Sequence, residues 1–150
     1  MYCSPLGDIV LTSDGLALTG LRFAEATNGE QAQDIPSLED ACRWLDLYFG
    51  GAMPDFTPRL SPQGTPFQQS VWRELLAIPY GHTVSYGYIA QRLRCRSAQA
   101  VGGAVGRNPI ALIIPCHRVI GSNGQLTGYA YGLDRKQWLL SHETQHIGKP

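Results

Sequence analysis

A thiol and an imidazole stand side by side in this chain, as Cys116 and His117 within the run Pro115-Cys116-His117-Arg118-Val119. A cysteine attacks as the thiolate, and a neighbouring base or positive charge lowers its pKa from about 8.5 toward neutrality. His117 can supply that base, so the pair predicts a nucleophilic cysteine. A free cysteine is also commonly just a small buried apolar side chain. The pair alone does not decide between these two interpretations.

The segment before the thiol predicts where the thiol lies. Leu112, Ile113 and Ile114 form a short apolar run rich in β-branching, which is typical of a buried strand. Pro115 has no N–H to donate to a neighbouring strand, so we expect the strand to end there. Cys116 is therefore expected at the edge of a hydrophobic core.

The composition is that of an ordinary globular protein. Of the 150 residues, 43% are hydrophobic and 16% are charged. No apolar run approaches the roughly 18 residues that a membrane span needs, and no basic region followed by an apolar stretch opens the chain. We therefore expect a cytoplasmic protein without a membrane partner. The four cysteines include no C-x-x-C pair, which argues against a disulfide framework and a zinc cluster and favours free thiols.

Charge is divided unequally along the chain, although the formal net charge is zero. Residues 1–65 carry three basic and nine acidic side chains, a net charge of −6, and residues 66–150 carry nine basic and three acidic ones, a net charge of +6. A basic half indicates a polyanionic partner, and arginine suits phosphate through its planar guanidinium. A solvated basic face, or attraction between the two halves, explains the same pattern equally well.

The first half of the chain predicts a small α/β domain with an antiparallel sheet. Residues 8–13 and 16–23 read as two strands flanking Asp14-Gly15, a pair that favours a type I′ hairpin turn. Ser37 is expected to cap a helix that ends at Gly50-Gly51.

Residues 50–64 contain several glycines and prolines, a composition that predicts a linker. We therefore divide the chain into an N-terminal domain with its linker, residues 1–64, and a C-terminal domain, residues 65–150.

Three helices are predicted in the second half. Residues 65–68 have the types of a capping box with proline at the first helical position, and Ser85 and Ser97 are expected to cap two further short helices. Two short helices joined by a tight turn in a basic half are typical of a helix-turn-helix. The last helix, residues 98–105, has small side chains and offers mainly Gln99 to base edges, so it suits a narrow groove better than sequence reading. Its small side chains also fit close helix packing.

An ordered set of motifs runs along nearly the whole chain. The set comprises Ser4-Pro5-Leu6-Gly7, Phe67-Gln68 through Leu75, Tyr86, Val101-Gly102-Gly103, Asn108-Pro109, Pro115-Cys116-His117-Arg118-Val119, Ser122-Asn123-Gly124, Gly128-Tyr129 and Lys136 through Glu143. Together these motifs resemble those of the O6-alkylguanine-DNA alkyltransferases. Because many motifs match in order, the resemblance is highly specific.

The resemblance implies an α+β fold, with a small N-terminal α/β domain that has an antiparallel sheet and a C-terminal winged helix-turn-helix-like domain that carries the active site. It implies an enzyme of DNA repair by direct reversal. Cys116 would take the alkyl group from O6-alkylguanine, and also from O4-alkylthymine, and keep it as S-alkylcysteine after one turnover. No cofactor is implied. The implied partner is double-stranded DNA with a flipped O6-alkylguanine, bound through the minor groove by a monomer.

The resemblance also implies roles for four side chains. Glu143 would orient His117, His117 would draw the proton from Cys116 through a water, and Tyr86 would assist extrusion of the base and donate a proton toward the leaving guanine. From the residues alone, Glu143 is equally well explained as a solvated charge at a helix end. Tyr86 has the alternative of an ordinary aromatic in the core at the start of a helix.

Further residues take DNA-binding and substrate-pocket positions by resemblance. The implied DNA-binding residues are Ser85, Gln99, Ala100, Gly102, Gly103 and Arg107, and the implied pocket residues are Asn108, Val119, Tyr129, Ala130 and Tyr131. Asn108 would hold the turn between the recognition helix and the active-site strand, and Arg118 would be a buried structural partner.

The chain departs from the family pattern at two positions. Gln99 stands where the family usually carries an arginine that fills the gap left by the flipped base, so we expect weaker flipping, with Arg107 near enough in sequence to substitute. Tyr131 stands where some members have glycine, so we expect a narrower alkyl pocket. The zinc ligands found in the N-terminal domain of some relatives have no matching set here, and we expect no structural metal.

Three other function classes compete with alkyl transfer. A non-enzymatic relative binds alkylated DNA but lacks the reactive cysteine, and Cys116 is present. A transcription regulator would need a recognition helix richer in base-reading side chains. A cysteine hydrolase would return unmodified after reaction, whereas an alkyltransferase gains the alkyl group.

Overall fold

The computed structural model describes residues 2–24, 36–121, 123–126 and 128–146. These residues form two compact units. The first contains the described residues up to Gln63 together with Pro109–Ala111, and the second contains Gly64–Asn108 and the described residues from Leu112 onward. None of the described helices is long and apolar enough to cross a membrane.

The first unit contains a three-stranded antiparallel sheet in the order β1-β2-β3. Strand β1 is Tyr2–Ser4, β2 is Gly7–Ser13 and β3 is Leu18–Phe23. The sequence did not predict β1, because three residues are too few to show an alternating pattern. Ile110, in the short segment that joins this unit from later in the chain, forms a parallel bridge with Leu21.

The hairpin between β2 and β3 is present, but its turn is not of type I′. A type I′ turn needs positive φ at both central residues, and at this turn only Gly15, with φ +95°, has it. The Asp14 carboxylate instead accepts hydrogen bonds from the N–H groups of Leu16 and Ala17, both at 2.8 Å. This side-chain cap lengthens the loop to Asp14–Ala17, so Ser13 pairs with Leu18.

Helix α1, Pro36–Phe49, packs against β2 and β3. It begins at the proline, whose fixed φ suits a first helical position, so the prediction that Ser37 is the N-cap is wrong. The predicted end at two glycines is confirmed. Gly51 has φ +91°, and the N–H of Ala52 donates to the carbonyl of Leu47 at 2.9 Å, the pattern of a Schellman motif.

The second unit is mainly helical. Its elements are α2 (Pro66–Leu76), β4 (Val84–Ser85), α3 (Tyr86–Arg92), α4 (Ala98–Gly106), a 3₁₀ turn (Cys116–Arg118), β5 (Val119–Ile120) and α5 (Leu133–His146). Strands β4 and β5 pair in parallel, α4 packs against both α2 and α3, and α5 packs against the 3₁₀ turn. The predicted α+β fold class is confirmed.

The predicted caps of the three helices are confirmed. Thr65 and Gln68 form the reciprocal capping box of α2. The hydroxyl of Ser85 accepts from the backbone N–H three residues later at the start of α3, and Ser97 does the same for α4, each at 3.0 Å. The indole N–H of Trp72 in α2 donates to the carbonyl of Ala104 at 2.9 Å, which joins α2 to α4 inside the core.

The apolar run before Cys116 is a buried turn, so the prediction of a strand over residues 112–114 is wrong. Leu112 has φ +68°, which no continuous strand allows. The side-chain amide of Asn108 donates to the carbonyl of Ile114 at 2.8 Å and closes the turn. Periodicity cannot separate such a run from a strand, because burial alone makes every residue apolar.

Candidate active site

Cys116 begins the 3₁₀ turn and is 7% exposed. Burial raises the pKa of its thiol, while a hydrogen bond from the Asn108 side chain and the positive charge of Lys136 act in the opposite direction. The effect of burial is the larger one, so the pKa of Cys116 lies above its usual value and the group is a neutral thiol near pH 7. A base must remove its proton before it can attack.

His117, the residue after Cys116, forms a buried pair with Glu143. Both side chains have no exposed surface, and Nε2 of His117 lies 2.5 Å from Oε2 of Glu143. Burial lowers the pKa of His117 against the opposing effect of Glu143, and the charges of Arg118 and Lys136 lower it further. The imidazole is therefore neutral, with Nε2–H donating to the carboxylate and Nδ1 left as an acceptor. This Nδ1 is buried and has no hydrogen-bond partner among the described residues.

Glu143 is fixed by three donors. Oε2 accepts from His117, and Oε1 accepts from Nε of Arg118 at 2.7 Å and from the N–H of Gly81 at 3.2 Å. Burial by itself would raise the pKa of Glu143, but the hydrogen bonds and charges of His117 and Arg118 hold it well below its usual range. Arg118 also donates from Nη1 to the carbonyl of Ile78 at 2.8 Å, which fits a structural role.

Lys136 is a fully buried lysine to which the sequence assigned no role. Its Nζ donates to the carbonyl of Val119 at 2.5 Å and to that of Gly128 at 3.2 Å. These bonds tie α5 to both ends of the loop that follows the 3₁₀ turn. The spacing of Lys136 could have indicated its burial. Lys136 falls on the same face of α5 as Leu139 and Glu143, and that face points inward.

A cavity of about 240 Å³ opens beside the thiol. Its lining residues are Tyr86, Gly102, Val105, Gly106, Asn108, Cys116, Gly128, Tyr129, Ala130 and Tyr131. The cavity thus collects seven of the predicted site residues, whereas Val105, Gly106 and Gly128 were missed. Their small or apolar side chains carry no chemical signal in a sequence.

The remaining predicted residues lie outside the cavity lining. Val119, expected in the pocket, is buried in β5 and contributes its carbonyl to Lys136. Ser85 caps α3. On α4 and at its end, the exposed predicted residues are Gln99, Ala100, Gly103 and Arg107. Among the described residues, no three His, Cys, Asp or Glu side chains are grouped closely enough to hold a metal ion.

Two family models match this chain. Residues 1–62 match the ribonuclease-like domain of 6-O-methylguanine DNA methyltransferase, and residues 66–145 match its DNA binding domain. The chain belongs to the 6-O-methylguanine DNA methyltransferase family. The resemblance inferred from the sequence is confirmed, and this methyltransferase can be compared with its relatives over nearly its full length.

Named relatives and solved structures agree with that assignment. The methylated-DNA–protein-cysteine methyltransferase of Methanosarcina acetivorans is 45% identical, over 95% of this chain and 96% of the relative. The protein of the same name from Mycobacterium bovis is 46% identical, over 93% and 88%. The crystal structure of Mycobacterium tuberculosis OGT in complex with DNA has 45% identity and a TM-score of 0.87, covering 97% of this chain and 91% of that one.

Proposed function

We propose that this methyltransferase repairs DNA by moving the alkyl group of O6-alkylguanine onto Sγ of Cys116. One observation carries the proposal: Cys116 lines a cavity of about 240 Å³, and the next residue, His117, forms a buried pair with Glu143. A hydrolase would use the same nucleophile and base, but the family is one of methyl acceptors. The same site is proposed to accept O4-alkylthymine.

The reaction balances with the residues at hand. The thiol proton passes to Nδ1 of His117, through a water, and Glu143 stabilises the imidazolium that forms. The thiolate then attacks the alkyl carbon in line with O6, so that an S–C bond forms while the C–O6 bond breaks. The electron pair of that bond stays on the guanine, which takes up a proton that Tyr86 is placed to supply from the cavity wall. Cys116 remains alkylated, so each molecule reacts once.

DNA binding is assigned to the helix-turn-helix of α3 and α4. The chain binds DNA like its family, and one similar structure was solved as a DNA complex. We infer binding through the minor groove by a monomer, with the Ser85-capped end of α3 and Gln99, Ala100, Gly102, Gly103 and Arg107 of α4 facing the duplex. Support comes from the exposed surface of α4 with its small side chains, where a Cβ added at Gly103 would meet no atom within 4 Å.

We also infer that the chain is divided into domains at residues 1–64 and 65–150, and that the protein is located in the cytoplasm.

The decisive experiment is to incubate the protein with duplex DNA containing O6-methylguanine and to map the added mass by peptide sequencing. We expect one methyl group per protein, on the peptide that contains Cys116. The other thiols, Cys3, Cys42 and Cys95, serve as internal controls in the same digest. A methyl group on any of these three, or release of methanol with unmodified protein, would refute the proposal.

Gln99→Arg is expected to speed repair of O6-methylguanine in duplex DNA by about 10-fold, and to leave reaction with the free base unchanged. Gln99 is exposed on α4, and an arginine there would add a positive charge and fill the gap left by the flipped base. Single-turnover rates on both substrates give the comparison. Gln91→Arg, on the exposed surface of α3, is the matched control for added charge. Equal acceleration of duplex and free base would contradict this assignment.

Tyr131→Gly is expected to raise the rate with O6-benzylguanine at least about 10-fold, with a smaller effect on O6-methylguanine. The Tyr131 ring lines the cavity and packs edge-on against the ring of Tyr129, with centroids 5.5 Å apart, so its removal widens the site. Competition between the two free bases measures the ratio directly. Wild-type protein that already reacts with benzylguanine as fast as the variant would rule out steric exclusion by this ring.

A further inference from the structure

The Tyr129 hydroxyl is a buried polar group that takes no part in the proton and methyl transfers proposed for Cys116, His117 and Tyr86. The ring lines the cavity together with Cys116. Its Oη is buried and has no hydrogen-bond partner among the residues that the structure describes. Such a group is unfavourable in a folded protein unless something pairs with it, and a ligand in the cavity can do so.

The backbone around Tyr129 holds this hydroxyl in place. Gly128, with φ +55°, turns the chain just before it, and the Gly128 carbonyl is bound by Nζ of Lys136 at 3.2 Å. The carbonyl of Tyr129 accepts from the N–H of Gly132 at 3.0 Å, and its ring packs edge-on against Tyr131. The donor is thus positioned before any ligand arrives, which is the condition under which a hydrogen bond contributes most to catalysis.

The hydroxyl is also kept in its donor form. Burial raises the pKa of Tyr129 well above its usual value, and the nearby Cys116 raises it further. The group therefore offers a hydrogen and does not ionise near neutral pH. Cys116 and Tyr129 both line the same cavity.

The leaving oxygen of the substrate must lie in this cavity, beside Cys116. In an in-line displacement, Sγ and O6 are both partly bonded to one carbon, so O6 lies within a few ångströms of the sulfur. Negative charge develops on O6 as the C–O6 bond breaks. A fixed donor beside it strengthens its hydrogen bond as the reaction proceeds, which lowers the barrier without tightening ground-state binding.

We propose that the Tyr129 hydroxyl donates a hydrogen bond to O6 of the bound alkylguanine and is a catalytic residue that stabilises the leaving group. This proposal rests on the proposed function, since it assumes O6-alkylguanine as the substrate. It gives Tyr129 and Tyr86 separate tasks: Tyr129 stabilises the oxygen that leaves, and Tyr86 supplies a proton to the guanine.

The test is Tyr129→Phe, which removes only the phenolic oxygen and is expected to fold with equal or greater thermal stability. At saturating O6-methylguanine duplex, the single-turnover rate should fall about 10²-fold, with the Kd for the duplex changed by less than about 3-fold. Alkylation of Cys116 by iodoacetamide should keep its rate, because iodide as a leaving group needs no donor at that position. Tyr2→Phe, which removes a hydroxyl that donates to Asp46 at 2.7 Å in the first unit, should leave the transfer rate unchanged.

A second measurement uses S6-methyl-6-thioguanine, whose sulfur is a poor hydrogen-bond acceptor. Replacing O6 by sulfur should slow the wild type more than it slows Tyr129→Phe, since the variant has no bond to lose. Four results would overturn the proposal: an unchanged transfer rate, an equal effect of sulfur in both proteins, equal slowing with iodoacetamide, or a variant that is strongly destabilised. Wild-type protein that transfers no methyl group at all would instead refute the proposed function.

Discussion

Cys116→Ser is expected to bind methylated duplex DNA and to gain no methyl group. A serine hydroxyl ionises far less readily than a thiol and is a weaker nucleophile, and the buried position raises the cost of forming an anion further. His117 and Glu143 remain in place in this variant but have no thiol proton to remove. The loss should be complete within detection, whereas the Kd for DNA should change by less than about 3-fold, because the cysteine lies in the cavity and not on the exposed face of α4.

Intact-mass analysis after incubation with excess O6-methylguanine duplex measures this result, and a DNA-binding titration accompanies it. The matched control is Cys95→Ser, which changes a half-buried thiol of the same unit that donates to the carbonyl of Ser97 at 3.5 Å. This control should take up one methyl group at the wild-type rate. Methyl uptake by Cys116→Ser, at any residue, would show that another group is the acceptor.

Glu143→Gln should slow methyl transfer by about 10²- to 10⁴-fold and destabilise the protein by about 3–5 kcal/mol. A neutral amide cannot stabilise the imidazolium that forms when His117 takes the thiol proton. It also leaves the Arg118 guanidinium without its buried counter-charge, which now lies 2.7 Å away. Both side chains are in the interior, so solvent does not compensate for the lost charge.

The pH dependence of transfer separates the positioning role of Glu143 from a merely structural one. In the wild type the buried base removes the thiol proton, so the rate should vary little near neutral pH. In E143Q, His117 loses the carboxylate that stabilises its protonated form and becomes a weaker base, so the reaction depends more on direct ionisation of the thiol. Because burial raises the pKa of Cys116, the rate should then rise steeply with increasing pH. A uniformly reduced rate with an unchanged pH profile would mean that Glu143 only supports the fold.

The control for this variant is Glu74→Gln, which removes a carboxylate that pairs with Arg92 at 2.9 Å near the surface. The Arg92 side chain is 54% exposed, so water replaces the lost interaction. Its free energy of unfolding should change by less than about 1 kcal/mol, with the transfer rate unaltered. Urea unfolding of both variants compares a buried carboxylate with a partly exposed one in the same chain. If Glu143→Gln and Glu74→Gln destabilised the protein equally, the larger effect expected for the buried carboxylate would be contradicted.

Some of the structure follows from short-range signals in the sequence. The capping residues Thr65, Ser85 and Ser97 were predicted correctly because each bonds to a backbone N–H only three residues away. The turn at Asp14-Gly15 was placed correctly, but its type was not, since the Asp14 side chain caps the loop. Local preferences thus locate the elements, while side-chain competition decides their detailed form.

The cysteine–histidine pair shows the limit of such signals. Adjacency of Cys116 and His117 in the sequence raised the possibility of a nucleophile, and the ordered motifs assigned the chain to its family. The sequence by itself thus determined the acceptor candidate, the α+β fold class and the kind of chemistry, because these depend on residue identity and spacing.

Only the tertiary structure decided what surrounds the thiol. Glu143 lies 26 positions after His117 and meets it because α5 packs against the 3₁₀ turn, which no local preference specifies. Tertiary packing also buries Lys136, folds residues 112–114 into a turn and buries the Tyr129 hydroxyl, which has no hydrogen-bond partner among the described residues. Burial removes water from these polar groups, so their pKa values and their available hydrogen bonds depend on which side chains the fold brings together.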